Sequence, residues 1–169
     1  MSFRPHALLA ALALPLVATA GDVHHKHAGV VALVVDDVGP GDVGPTRAGP
    51  SLGHLVFVGG RVGFVAHALF TLPGLAPGFD STLALGTRVP VKPGFDVVMG
   101  IGPHFSGRFP SGEDGVATFG GGMLAMGTYA PGEHLFLGVY VHGYFDPVEV
   151  TGTDATHASG LHVGFTVGW

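Results

Sequence analysis

The chain ends in a stretch of alternating residues, Leu161-His162-Val163-Gly164-Phe165-Thr166-Val167-Gly168-Trp169. Successive side chains of a β-strand point to opposite faces, so an apolar residue at every second position predicts a strand with one apolar face. In a soluble protein such a chain end would need burial, whereas in a membrane barrel it faces lipid and the terminal Trp lies at the bilayer interface. We therefore predict the last strand of a membrane barrel, with a lipid face formed by Leu161, Val163, Phe165, Val167 and Trp169.

The same period of two recurs upstream, in segments separated by two kinds of connection. Short turns are predicted at 59–60, 92–95 and 130–133, and longer connections at 36–51, 71–80, 109–115 and 146–159. The two kinds alternate strictly, as in bacterial outer-membrane barrels with short periplasmic turns and longer external loops. The chain is thus predicted to be all-β, an eight-stranded antiparallel up-and-down transmembrane β-barrel. Its strands are expected at 30–35, two within 53–70, and at 81–91, 96–108, 116–129, 135–145 and 161–169.

The alternation also assigns faces to the strands. Leu55 and Phe57 are expected to point outward on the second strand, and Val62, Phe64 and Phe70 outward on the third. A polar set is expected to face the lumen: Arg61, His67, Arg88, His104, Ser106, Arg108, His142 and His162.

Two interpretations of this lumenal polar set remain open. An eight-stranded barrel is just wide enough to be filled by its own side chains, so inward polar groups would hydrogen-bond one another as a plug. Alternatively the histidines form a metal site or a proton-sensitive plug, because His changes charge near neutral pH.

The first twenty residues have the three parts of a secretory signal peptide. Arg4 supplies the positive charge, residues 7–17 form an apolar run, and residues 18–20 are small. The apolar run is too short to cross a bilayer as a helix. We predict cleavage after Ala20, which leaves residues 21–169 as one exported barrel domain.

Three closely spaced histidines follow the predicted cleavage site. His24, His25 and His27 are expected to lie on a flexible periplasmic tail. Imidazoles suit Zn, Cu and Ni, so these residues are also weak candidates for a metal site.

Composition excludes several functions. Only 11% of the residues are charged and the formal net charge is −5, so no basic patch is available to bind nucleic acid. The glycine clusters complete no phosphate-binding motif. His104 and Ser106 share a strand face, as a base and a nucleophile would, but the supporting residues of a His-x-Ser esterase are missing. No enzymatic activity and no cofactor are expected, and the protein is expected to be a monomer.

The terminal strand looks like the C-terminal recognition strand of bacterial outer-membrane proteins, although this chain ends in Trp where Phe is commoner. With the Gly120-Gly121-Gly122 run, Tyr129-Ala130-Pro131 and residues 160–164, the chain resembles small eight-stranded outer-membrane barrels, and within them the YfaZ-like family. The resemblance implies location in the cell outer membrane and no established chemistry. It also implies contact with outer-membrane lipid and lipopolysaccharide, and with the barrel assembly machinery through the last strand.

Three functions are compatible with this sequence. Nine of the twelve acidic residues fall in the predicted longer connections, which favours a structural or surface-interaction role in which divalent cations bridge carboxylates to lipopolysaccharide. The second function is a narrow pore for very small solutes, lined by Gly86, Gly100, Gly102, Gly120 and Gly122. The third is a soluble exported barrel that binds an apolar ligand, with the two faces inverted.

Overall fold

The computed structural model describes residues 24–36, 48–71, 78–109, 115–132, 135–150 and 158–169. Each strand pairs antiparallel with its sequence neighbours, and the first strand pairs with the last, which closes the barrel. The predicted eight-stranded antiparallel barrel is therefore confirmed. The strands are β1 (His24–Asp36), β2 (Ala48–Gly59), β3 (Val62–Thr71), β4 (Gly78–Lys92), β5 (Phe95–Arg108), β6 (Val116–Tyr129), β7 (Phe136–Glu149) and β8 (Ala158–Gly168).

Closure depends on the pairing of β1 with β8. The ladder runs from the Ala28–Gly168 pair to the Asp36–Gly160 pair. It extends one step further at the terminal residue, where the Trp169 N–H donates to the His27 carbonyl at 3.0 Å and the His27 N–H donates to the Trp169 carbonyl at 3.2 Å. The alternating C-terminal stretch is thus the strand that removes the free edges of the sheet.

The connections from β2 to β3, from β4 to β5 and from β6 to β7 lie at one end of the barrel, which we call the turn end. The turn between β4 and β5 needs a glycine, because Gly94 has a φ of 75°. Its carbonyl accepts a hydrogen bond of 2.7 Å from the Ala130 N–H, and a Cβ at this position would lie 3.0 Å from the Ala130 oxygen. Both conditions favour the residue that has no side chain.

The outer face of the barrel is apolar on every strand. Phe165 is 70% exposed and Ile101 is 65% exposed. No helix in the described ranges is long and apolar enough to cross a membrane. Further exposed apolar side chains lie on the other strands: Val31, Leu33, Leu52, Phe64, Phe70, Leu83, Leu85, Met123, Leu137 and Val139.

The lumen contains an apolar layer, and this layer corrects the faces expected for β2. Leu55 and Phe57, expected to point outward, are fully buried inside. The outward positions of β2 are instead Leu52, His54, Val56 and Val58, so both faces of this strand carry large apolar residues and the alternation does not fix which face is inside. The remaining buried residues of this layer include Val30, Val34, Val65, Leu69, Ala84, Val98, Leu124, Met126 and Phe136.

The predicted flexible tail is also wrong, because β1 begins at His24 and not at Val30. His24 and His25 pair with Gly59 and Val58 of β2. The ring of His27 stacks on that of Trp169, with centroids 6.2 Å apart, and its Nδ1 lies 3.4 Å from His54 Nε2. The period-two pattern fails here because polar residues occupy both faces of this part of the strand.

The closure predicts a difference between two glycines. A Cβ on Gly164 would overlap the Val31 carbonyl oxygen across the β1–β8 ladder, whereas a Cβ on Gly143 would meet nothing closer than 3.9 Å. Gly164→Ala should therefore destabilise the barrel by about 1–3 kcal/mol, the usual cost of overpacking. Gly143→Ala should change stability by no more than about 0.5 kcal/mol. Urea unfolding of both variants in detergent measures this, and equal stabilities would contradict the observed closure geometry.

Candidate functional site

Polar side chains fill the part of the lumen that lies away from the turn end. They come from six strands, at positions whose period of two points inward, and all are buried. We call this set the polar layer: His67, Asp80, Thr82, His104, Ser106, Arg108, Thr118, Tyr140, His142, Tyr144, Asp146 and His162.

One half of the polar layer is organised by the carboxylate of Asp146. Both of its oxygens lie 2.9 Å from His104 Nδ1, and Oδ2 accepts a hydrogen bond of 2.8 Å from the Thr118 hydroxyl. Ser106 Oγ in turn lies 2.7 Å from Thr118 Oγ1. The Asp146 carboxylate is the shared acceptor of these contacts. The neighbouring residue of β6 is Gly120, and a Cβ on this residue would lie 2.7 Å from Asp146 Oδ1.

The other half contains three histidines, His67, His142 and His162, which we call the histidine cluster. Each offers a ring nitrogen, and the three nitrogens lie within 4.8 Å of one another. Nδ1 of His142 lies 3.1 Å from Nδ1 of His162. These three residues are the group in the described structure that could hold a metal ion.

The outer ring nitrogens of the histidine cluster face polar groups. Nε2 of His142 lies 2.9 Å from the Thr82 hydroxyl, and Nε2 of His67 lies 2.5 Å from the Tyr140 hydroxyl. These contacts fix the orientation of both rings.

Asp80 lies between the two halves of the polar layer. One of its oxygens is 3.8 Å from His104 Nε2 and the other is 3.8 Å from His162 Nε2, and all three side chains are fully buried. Taking a carboxylate out of water costs several kcal/mol unless it is paired. Asp80 therefore lies next to one imidazole from each half, His104 of the Asp146 half and His162 of the histidine cluster.

The structure brings together six of the eight residues predicted to face the lumen as one polar set. Arg61 is placed elsewhere, and its prediction is wrong: it lies exposed in the turn between β2 and β3, because β3 begins only at Val62 and the alternation does not extend into the turn. The six that lie in the polar layer are His67, His104, Ser106, Arg108, His142 and His162.

Arg88 belongs to a separate group of charges near the turn end. Its Nε and Nη2 each lie 3.0 Å from Asp96 Oδ2, and Lys26 Nζ lies 2.7 Å from the same oxygen. All three side chains are partly exposed, at 13–19% of their surface, unlike the buried residues of the polar layer.

Two acidic residues of the polar layer were assigned to external connections by the sequence, and this assignment is wrong. Asp80 lies on β4 and Asp146 on β7, and both are fully buried. The sequence does hold a signal for each. Asp80 precedes the inward Thr82 by two positions and Asp146 follows the inward His142 by four, so both continue the inward phase of their strands.

His104 and Ser106 do not form a base and nucleophile pair. His104 Nδ1 contacts Asp146, and Ser106 contacts Thr118. Ser106 is also 1% exposed, so a substrate has no access to its hydroxyl in this conformation.

This closed, filled barrel has the fold of the small eight-stranded outer-membrane barrels. Among solved structures it is similar to Neisserial surface protein A (NspA), with a TM-score of 0.64 and 9% identity over 86% of this chain and 97% of that one. OprG from Pseudomonas aeruginosa gives a TM-score of 0.53 and 15% identity, over 86% and 95% of the two chains. Ail, the attachment invasion locus protein of Yersinia pestis, gives 0.51 and 9%, over 86% and 97%.

The likeness at these identities concerns the fold alone. No protein-family model matches the chain, and no curated protein matches it. The narrower resemblance to the YfaZ-like family is therefore not confirmed.

The Asp146 contacts predict a measurable loss of stability. Asp146→Ala leaves His104 and Thr118 without their shared acceptor, and an unsatisfied buried network of this kind costs about 3 kcal/mol. Asp146→Asn keeps the shape of the side chain and one oxygen acceptor, so it should lose distinctly less stability. Urea unfolding midpoints of the two variants and the parent protein provide the comparison. If Asp146→Ala were as stable as the parent, Asp146 would not organise this half of the layer.

Proposed function

We propose that the protein is an outer-membrane barrel with a structural or surface-interaction role, in which a filled, non-enzymatic barrel anchors its four longer connections at the cell surface. The observation that carries this proposal is the combination of an apolar exterior on all eight strands with a lumen occupied by side chains. An apolar exterior suits a bilayer, and a lumen occupied by side chains suits an anchor better than a channel.

The exterior supports the membrane location. Its strands have 10–15 residues, and a tilted strand crosses the hydrocarbon core with roughly 9–11. Soluble monomers rarely expose contiguous apolar patches of more than a few hundred Å². The solvent-exposed Trp169 lies at the turn end beside His27 and His54, where amphipathic aromatic rings sit at the bilayer interface.

The interior speaks against the pore alternative. A Cβ on Gly86 would meet the Val65 and Phe57 side chains, and one on Gly122 would lie 2.9 Å from both His142 Nε2 and Thr82 Oγ1. The glycines of the inner face therefore make room for neighbouring side chains and leave no channel at these positions. The soluble alternative requires the apolar face to be inside, whereas large apolar side chains such as Phe64 and Phe165 are more than half exposed.

The surface role rests on the longer connections. With Asp80 and Asp146 inside the barrel, the acidic residues left for cation bridging to lipopolysaccharide are mainly Asp37, Asp42, Glu113, Asp114 and Asp154, which lie outside the described residues. Two of the similar barrels carry the names of a surface protein and an attachment invasion locus protein, which suits this role. Cleavage after Ala20, assembly through β8 and membership of the YfaZ-like family remain predictions.

Gel migration tests the membrane proposal. We expect the protein in the outer-membrane fraction of a Gram-negative host, with an unboiled band that migrates faster than the boiled one, because a closed barrel resists detergent unfolding. Replacing Val163 and Phe165 by Ser together should reduce recovery in this fraction, while Thr118→Ser, a buried change on another strand, should not. Recovery of the parent protein from the soluble periplasm without a shift would reject the proposal.

A further inference from the structure

We propose that the histidine cluster is a binding site for one divalent transition-metal ion of the Zn²⁺ type, enclosed in the barrel and held by ring nitrogens of His67, His142 and His162. The three residues come from β3, β7 and β8, and all are at most 2% exposed. The site is distinct from the loop carboxylates of the proposed surface role and does not depend on them.

The spacing of two donors fits a shared ion. Nδ1 of His142 and Nδ1 of His162 are 3.1 Å apart. Two nitrogens bound at about 2.0–2.1 Å to one tetrahedral zinc lie about 3.3 Å from each other. The third histidine, His67, brings a ring nitrogen within 4.8 Å of the ring nitrogens of the other two.

His67 has the ring nitrogen that this ion needs. Its Nε2 contacts the Tyr140 hydroxyl, whereas its Nδ1 is buried and has no hydrogen-bond partner among the described residues. A buried nitrogen without a partner costs about 1–3 kcal/mol, and coordination to a metal ion removes that cost. The plug interpretation leaves this atom unexplained.

The surroundings have the outer-shell contacts of a metal site. Histidines that bind metals usually direct their other ring nitrogen to a carboxylate, a carbonyl or another polar group, which fixes the ring and its tautomer. Here Thr82 faces Nε2 of His142, Tyr140 faces Nε2 of His67, and an Asp80 oxygen lies 3.8 Å from Nε2 of His162. The Nδ1 atoms are therefore the natural ligands.

Neighbouring residues leave space for this arrangement. Gly122 lies against the cluster, and a Cβ there would be 2.9 Å from both His142 Nε2 and Thr82 Oγ1. Three nitrogen ligands leave the fourth tetrahedral position for a water molecule, and imidazole donors select Zn, Cu or Ni over Ca or Mg.

Co²⁺ is the probe for this site, because tetrahedral Co²⁺ bound by nitrogen has characteristic visible absorption bands. The barrel is refolded from urea into detergent with Co²⁺ or Zn²⁺, free metal is removed, and the bound metal is measured by absorption and elemental analysis. All proteins carry His24→Gln, His25→Gln and His27→Gln, which eliminates metal binding by the histidines at the start of β1. Heat-modifiable migration verifies that each protein is folded.

We expect one Co²⁺ per folded barrel with a tetrahedral spectrum. His67→Gln, His142→Gln and His162→Gln should each lose the spectrum and bind at least roughly 100-fold more weakly, while the outer-shell variants Thr82→Val and Tyr140→Phe weaken binding roughly 10-fold. His54→Gln, an outward-facing histidine of β2, is the matched control and should bind as the parent does.

Two results would overturn the proposal. A folded parent barrel that takes up no Co²⁺ or Zn²⁺ would identify the cluster as a hydrogen-bonded plug only. Metal binding that persists in the three cluster variants, or disappears in His54→Gln, would place the ion elsewhere. If the cluster variants fail to fold, the parent stoichiometry and the Thr82→Val and Tyr140→Phe affinities decide the question.

Discussion

The backbone pairing of β1 with β8 is the constraint on which the rest of the structure depends. In lipid, unpaired backbone N–H and C=O groups cost several kcal/mol each, so a sheet can cross a bilayer only when it has no edge. The ladder from Ala28–Gly168 to Asp36–Gly160 removes that edge. Closure of eight strands also fixes the diameter of the lumen, which is then filled by apolar and polar side chains.

Much of this fold could be predicted from the sequence, because lipid-facing and lumenal residues alternate along each strand of a membrane barrel. On β8, polar or small residues alternate with large apolar ones, and the predicted lipid face agrees with the observed exposure of Val163, Phe165 and Trp169. Tight turns with Pro and Gly give the strand boundaries between β4 and β5 and between β6 and β7. The six polar-layer residues on β3, β5, β7 and β8 were found by the same alternation.

The alternation does not predict the faces of a strand when both faces are apolar, and it does not predict burial for charged residues near the ends of strands. On β2 both faces are apolar, so Leu55 and Phe57 could be placed inside only by their pairing with β3. Asp80 and Asp146 were assigned to loops because charges at strand ends resemble loop residues. Their neighbours come from other strands: His104 and Thr118 contact Asp146, and His104 and His162 lie next to Asp80. Contacts across the lumen join residues that are far apart in the chain, so a local sequence pattern cannot predict them.

The inside and outside assignment is the central claim, and quenching of tryptophan fluorescence by brominated lipids tests it most directly. Trp169 is the only tryptophan, so Trp169→Phe gives a background in which single tryptophans report their surroundings. In bilayers, Phe64→Trp and Phe165→Trp should be strongly quenched, because both positions face outward, whereas Phe57→Trp should be protected inside the lumen. Strong quenching of Phe57→Trp with protection of Phe64→Trp would contradict the account, since the faces would then be inverted.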